Sequence, residues 1–204
     1  MTIRNLRADD DLARAGELLF LVDPYIFPDF LGDTRRARIF GTKLFDNTKN
    51  GLFSFGNTLV AEENGELLAI LCFRETKVAP WDTPKITERF VETGEPLPEN
   101  FARANEKYMQ KITDAELPEN AVEIEFLATA PEARGRGIAS ELFAYLKNPE
   151  KYAELHLDVL ANNENAIRLY EKQGFKKVST FPCYPDGSVD VYHMVLNLGE
   201  KSNA

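Results

Sequence analysis

Two glycines one residue apart, Gly135 and Gly137, stand between a strand-like run at 122–129 and an apolar-periodic segment that reaches Lys147. Glycine takes positive φ without the penalty a Cβ imposes, so this pair permits a sharp strand-to-helix turn. The first turn of a helix leaves its amides without intrahelical partners, and a bare glycine backbone lets an anion approach them. A ligand carrying phosphate is the reading this junction favours. A tight turn with no ligand is the plain alternative.

Two familiar phosphate motifs fit poorly. Gly135, Gly137 and Asp158, about twenty residues later, sketch a dinucleotide fingerprint, the basis for a nicotinamide-dependent oxidoreductase. Its third glycine is Ser140, however, and few strand–helix units follow to build a doubly wound sheet. A phosphate loop of the Gly–Lys–Ser/Thr type is excluded, because no such triplet follows the glycines.

A chain of 204 residues suits one domain with a sizeable core, and 44% hydrophobic with 28% charged residues is ordinary for a globular protein. No apolar run approaches eighteen residues and no basic, then apolar, leader opens the chain, so neither a membrane partner nor export is expected. Cys72 and Cys183 have no metal-ligand spacing and there are only two histidines, which points to a reducing cytoplasm and no metal. A net charge of −9 argues against nucleic acid and suits a cationic substrate.

Hydrophobic periodicity predicts a short strand within 2–7, then a helix capped in the run Asp9 to Asp11 and carrying Leu12, Ala15, Leu18 and Leu19. Pro24 and Pro28 are expected to break the helical pattern across 23–30, with a second helix over 34–45. Asn64 and Gly65 predict a tight hairpin turn between strands at 57–62 and 67–73. Residues 75–120 carry five prolines and two helical patterns, 84–91 and 100–113, the second with Phe101, Tyr108, Met109 and Ile112 on one face. They read as an insertion between strands within a single domain spanning 1–198, followed by a frayed tail at 199–204. Strands at 122–129 and 153–160 flank the glycine helix, a helix at 164–173 stops at Gly174, and a last antiparallel pair covers 177–181 and 189–196.

Arg134, Gly137 and Ala139 stand in the spacing Arg-x-x-Gly-x-Ala, and Asn163, Ala166, Leu169, Tyr170, Gly174 and Phe175 follow before the last hairpin. Together these segments resemble the acyl-coenzyme A signature of the GCN5-related N-acetyltransferase (GNAT) superfamily. The resemblance implies a mixed α/β (α+β) fold: a largely antiparallel sheet with one parallel crossover, its two strands splayed to admit acyl-CoA. It implies an N-acetyltransferase that uses acetyl-CoA, without metal, on a small-molecule or peptide amine. A non-catalytic CoA-binding protein is the alternative, and a homodimer through the last hairpin is open.

Carried onto this chain, the resemblance assigns Arg134, Gly135, Arg136, Gly137, Ile138 and Ala139 to the coenzyme pyrophosphate. Leu127, Ala128 and Thr129 follow for the pantetheine arm, and Asn163 and Asn165 for further coenzyme contact. The Leu127 amide is the expected donor to the thioester carbonyl. An ammonium must lose a proton before it attacks, and Glu123 and Glu125, two apart on one strand face, are both candidates for the base. Tyr170 is the expected acid for the departing thiolate. Asp23, Tyr25, Phe27 and Phe30 form an acidic, aromatic patch where the family places its acceptor walls, suited to a cationic amine. His156 is expected to be a local hydrogen-bonding residue, and no histidine stands at a telling spacing from either cysteine.

Overall fold

The computed structural model describes residues 1–23, 26–46, 51–75, 83–103, 117–182 and 190–199. After strand β1 (Thr2–Asn5), the Asp11 carboxylate accepts from the Arg14 amide and starts helix α1 (Leu12–Phe20), which buries Ala15, Leu18 and Leu19. Asp33 does the same for Arg36 and starts α3 (Thr34–Leu44). Between them lies α2 (Ile26–Leu31), where a break was expected. Pro28 is the third residue of this helix; a first-turn amide has no intrahelical acceptor, so losing its N–H costs nothing there. The two longer helices cross at glycines: a Cβ on Gly16 would meet the Ala37 carbonyl at 2.2 Å, and one on Gly41 the Leu12 carbonyl at 2.4 Å.

Strands β2 (Thr58–Glu63) and β3 (Glu66–Glu75) form a hairpin whose turn residues Asn64 and Gly65 have φ of 54° and 84°. Two positive φ values give a type I′ turn, whose twist matches that of the strands. Next come α4 (Thr83–Glu92), β4 (Ala121–Thr129), α5 (Ile138–Leu146), β5 (Glu154–Leu160), α6 (Glu164–Gln173), β6 (Lys176–Pro182) and β7 (Asp190–Asn197). The sheet runs β1-β2-β3-β4-β5-β7-β6, and its only parallel neighbours among the described residues are β4 and β5. That mixed topology is the expected fold class, and it leaves no doubly wound parallel sheet for a dinucleotide fingerprint.

Residues 75–120 lie between β3 and β4, which are hydrogen-bonded neighbours, so the segment leaves the sheet and returns to it. Its described parts pack onto the helical layer: Phe90 of α4 stacks on Phe40 of α3 at 3.8 Å, and Phe101 meets Phe30 edge-on at 5.7 Å. Tyr108, Met109 and Ile112 fall outside the described residues, as do the final turn at 185–188 and the tail from 200 onward. α1 lies against β3 and β4, and α5 against β1 to β4. Gly174, with φ 98°, closes α6 in the left-handed conformation expected of a C-cap.

Candidate active site

β4 and β5 pair only from Ala121 with Glu154 to Ile124 with Leu157. From Glu125 to Thr129, β4 keeps its ladder with β3, while Asp158 to Leu160 of β5 pair with β7 alone. The cause sits at the branch point. The β3 partners step from Cys72 with Phe126 to Phe73 with Ile124, so Glu125 is an extra residue, a bulge that bends β4 and increases its twist. An edge of β4 therefore faces β5 with no strand on it among the described residues. That edge contains Leu127, Ala128 and Thr129.

Beyond this edge, a 3₁₀ turn at Pro131–Ala133 leads to the glycines. Gly135 and Gly137 have φ of 77° and 81°, and a Cβ on either would touch nothing within 4 Å, so conformation rather than space calls for glycine. Glu141 is the first residue of α5 whose amide reaches a helical acceptor, the Gly137 carbonyl at 3.2 Å. The Ile138 and Ala139 amides precede it at the positive end of the helix dipole. Arg134 folds back and donates from Nε to the Thr129 carbonyl at 3.2 Å, tying the turn to the open end of β4. Arg136 instead donates from Nη2 to both carboxylate oxygens of Glu63 at 2.8 Å, on the surface.

Glu123 and Glu125 converge on one guanidinium. Arg74 stands opposite Glu123 in the β3–β4 ladder and donates to it through Nη2; its Nε meets Glu125 Oε1 at 2.5 Å. The three side chains are 6%, 10% and 7% exposed, in that order. Burial pushes the Glu123 carboxyl above its ordinary value of 4.5, against Arg74, which pulls it down. Asp158 adds to the rise and His193 opposes it. Two carboxylates against one cation leave one negative charge in surplus, which uptake of a proton neutralises. Arg74 had no local signal in the sequence, since its partners lie about fifty positions away.

Tyr170 is buried against Phe143, ring edge to face at 5.7 Å, and burial pushes its phenol up to about 12. It stays protonated at neutral pH. Asn163 caps α6 by accepting from the Ala166 amide at 3.2 Å, and Asn165 accepts from Arg168 at 2.7 Å on the exposed side of that helix. Gln173 at the far end of α6 donates to Ser140 of α5, so the two helices flanking the opening are locked to each other.

Phe27 and Phe30 are buried, and Phe27 meets Phe126 edge-on at 5.1 Å, one residue from the bulge. Both line a narrow apolar crevice with Leu19, Phe53 and Phe90, which continues toward Ile86. Asp23 follows α1, and Tyr25 lies outside the described residues. Burial pushes the Cys72 thiol up to about 12, and its contact is Thr58 Oγ1 at 3.8 Å, which leaves no thiolate for nucleophilic work. Cys183 lies outside the described residues. Among those residues, no group of three or more metal-ligating side chains is assembled, and no helix is long and apolar enough to cross a membrane.

His156 is bonded more extensively than its strand position suggested. Its Nε2 faces Glu154 at 2.9 Å and its Nδ1 faces His193 Nε2 at 3.1 Å, while His193 Nδ1 meets Asp158 at 2.8 Å. This row lies beside Glu123, whose partner in the parallel ladder is His156.

A splayed parallel pair beside a glycine turn is the arrangement that the sequence resemblance leads one to expect. The chain belongs to the Acetyltransferase (GNAT) family, whose model matches residues 26–175. It is similar to an N-alpha-acetyltransferase of Saccharolobus solfataricus, 37% identical over 76 residues, or 35% of this chain and 46% of that one. It is also similar to an uncharacterized protein of Mycobacterium leprae, 34% identical over 73 residues, or 35% of this chain and 20% of that one. The match thus spans less than half the length of these relatives. Among solved structures, an N-acetyltransferase from Staphylococcus aureus shares the fold with a TM-score of 0.66 at 19% identity, covering 96% of this chain and 100% of that one. The Naa20 protein of Chaetomium thermophilum, solved with a bisubstrate analogue, gives 0.56 at 17%, covering 97% of this chain and 87% of that one.

Proposed function

We propose that the protein is an N-acetyltransferase that moves the acetyl group of acetyl-CoA to a primary amine by direct attack, with both substrates bound at once. The observation that carries this reading is the loss of β4–β5 pairing after Ile124, on the strand that leads into the glycine turn. A pantetheine arm completes the sheet at that opening, much as an added strand would, against Leu127, Ala128 and Thr129. The amides from Gly135 to Ala139 receive the pyrophosphate, with Arg134 at their side. Arg136 is a further phosphate ligand if it exchanges Glu63 for the coenzyme.

The reaction needs one proton taken from the ammonium before attack and one delivered to the departing sulfur. Glu123 and Glu125, held by Arg74, supply the base at the branch point. Glu123 is the stronger candidate, because its raised carboxyl pKa brings it nearer the pH at which it must release the proton again. The Leu127 amide polarises the thioester carbonyl as negative charge gathers there, and Tyr170 donates to the thiolate. The acceptor amine is met by the acidic side of the patch after α1, Asp23, since Phe27 and Phe30 are packed in the core and form its apolar backing.

Peptide N-termini head the list of acceptors to try, because one relative carries the name N-alpha-acetyltransferase. The test is thiol release from acetyl-CoA across a panel of peptides, polyamines and aralkylamines. Turnover on one class, lost in a Glu123→Gln, Glu125→Gln double variant that still binds acetyl-CoA, supports the reading. Binding with no turnover on any amine would favour a CoA-binding regulator instead.

A further inference from the structure

The two histidines of the chain face each other across β5 and β7, and ionised carboxylates at both ends of the pair constrain where its hydrogens sit. An ionised carboxylate accepts and does not donate. Against ionised carboxylates, His156 Nε2, 2.9 Å from Glu154, and His193 Nδ1, 2.8 Å from Asp158, each carry hydrogen. A neutral imidazole has only one. With both hydrogens turned outward, two bare lone pairs would face each other between His156 Nδ1 and His193 Nε2 at 3.1 Å. That contact repels. A third hydrogen placed between the rings turns it into an N–H···N bond and gives the pair one positive charge, flanked by a carboxylate at each end.

The charge sits beside the branch point. His156 is the ladder partner of Glu123, and His193 and Asp158 both act on the Glu123 carboxyl. We propose that His156 and His193 hold one proton in common, and that this single positive charge keeps Glu123 ionised and ready to receive the acceptor's proton. Among the described residues, the groups set around Glu123 are Arg74 from β3, Glu125 from β4, His156 and Asp158 from β5, and His193 from β7; Glu154 closes the row at its outer end. Acetylation of an ammonium releases one net proton per turnover: the amine gives up two, and the thiolate recovers one. Glu123 is buried, so each cycle must end with its proton expelled, and a neighbouring positive charge favours that expulsion. The histidines act through Glu123 and are positioning residues.

The role in acetyl transfer rests on the transferase reading; the shared proton does not. Both are tested together by NMR of the full chain, following imidazole ¹⁵N and the Glu123 carboxyl ¹³C through a pH titration without ligand. Three ring nitrogens should be protonated and one bare across the pair, with a single proton lost in one common step. In His193→Gln the Glu123 midpoint should rise by about one pH unit, a tenfold change in its proton affinity. Should that variant fail to fold, His156→Gln makes the same demand. Two neutral rings titrating independently, or an unmoved Glu123 midpoint, would overturn the proposal. With an active amine in hand, the acidic limb of kcat/KM in His193→Gln should follow the carboxyl midpoint upward. Absence of turnover on every amine would sink the transferase reading while the NMR result still decided the histidine pair.

Discussion

Arg74 faces Glu123 directly across the β3–β4 ladder, and the same guanidinium reaches over the bulge to Glu125. Register and bulge together aim two acidic side chains at one cation, so the arrangement belongs to the fold and not to a chance rotamer. Removing one partner of a buried ion pair costs about 3–5 kcal/mol, because the remaining charge is left desolvated. Arg74→Met should therefore lower unfolding free energy in urea by about that much at neutral pH. An Arg74→Met, Glu123→Gln, Glu125→Met triple variant, apolar or neutral at all three sites, should recover most of the loss. A single Arg74→Met change within about 0.5 kcal/mol of the native protein would show that the charges are not interdependent.

The pH dependence follows from the sign of the Glu123 shift. Its folded pKa lies above the ordinary 4.5, so between those two values the folded state binds the proton that the unfolded state has released. This group's contribution to stability is full below the unfolded pKa and falls as pH rises through the folded one. Glu123→Gln should flatten that fall in a stability titration, and the acidic limb of kcat/KM should sit above the ordinary glutamate range. A native limb at 4.5 or below would contradict the assignment of Glu123 as base.

For Tyr170, burial holds the phenol protonated up to about 12. Tyr170→Phe should keep the fold, since the ring contacts with Phe143 and Phe175 survive. Its kcat should fall about a hundredfold, the usual scale of a lost general acid, with the KM for acetyl-CoA little changed. Equal activity in the two proteins would assign Tyr170 to packing alone.

At the crossing of α1 and α3, Gly16→Ala would drive a methyl to 2.2 Å from the Ala37 carbonyl. Backbone cannot yield as a flexible side chain does, so the helices must separate. A loss of about 1–3 kcal/mol in urea unfolding is expected, with the coenzyme site unaltered. Stability unchanged by the substitution would contradict this helix contact.

Local chemistry made much of this architecture readable. Asn64 and Gly65 announced the hairpin, and Asn163 and Gly174 bracketed α6, because each acts on backbone within a few residues of itself. The glycine turn was legible for the same reason. α2 was not, since Pro28 reads as a breaker until its place in the first turn is known. Nor was the Arg74 clamp, which depends on register between strands far apart in sequence, nor the extra residue at Glu125 that parts β4 from β5. The row from Glu154 to Asp158 also needed β7, because alternation along β5 puts its three polar residues on one face without revealing that His193 lies opposite. The aromatic patch after α1 could be seen as a patch, but its burial against Phe126 is a tertiary fact.

The central claim is that acetyl-CoA lies along the open edge of β4 with its pyrophosphate on the glycine turn. Amide hydrogen exchange with and without acetyl-CoA measures this directly, residue by residue. The account predicts slowed exchange at Leu127 to Thr129 and from Gly135 through Ala139, with β1 and β2 unchanged. Protection confined to any other part of the sheet, or none at saturating acetyl-CoA, would contradict it.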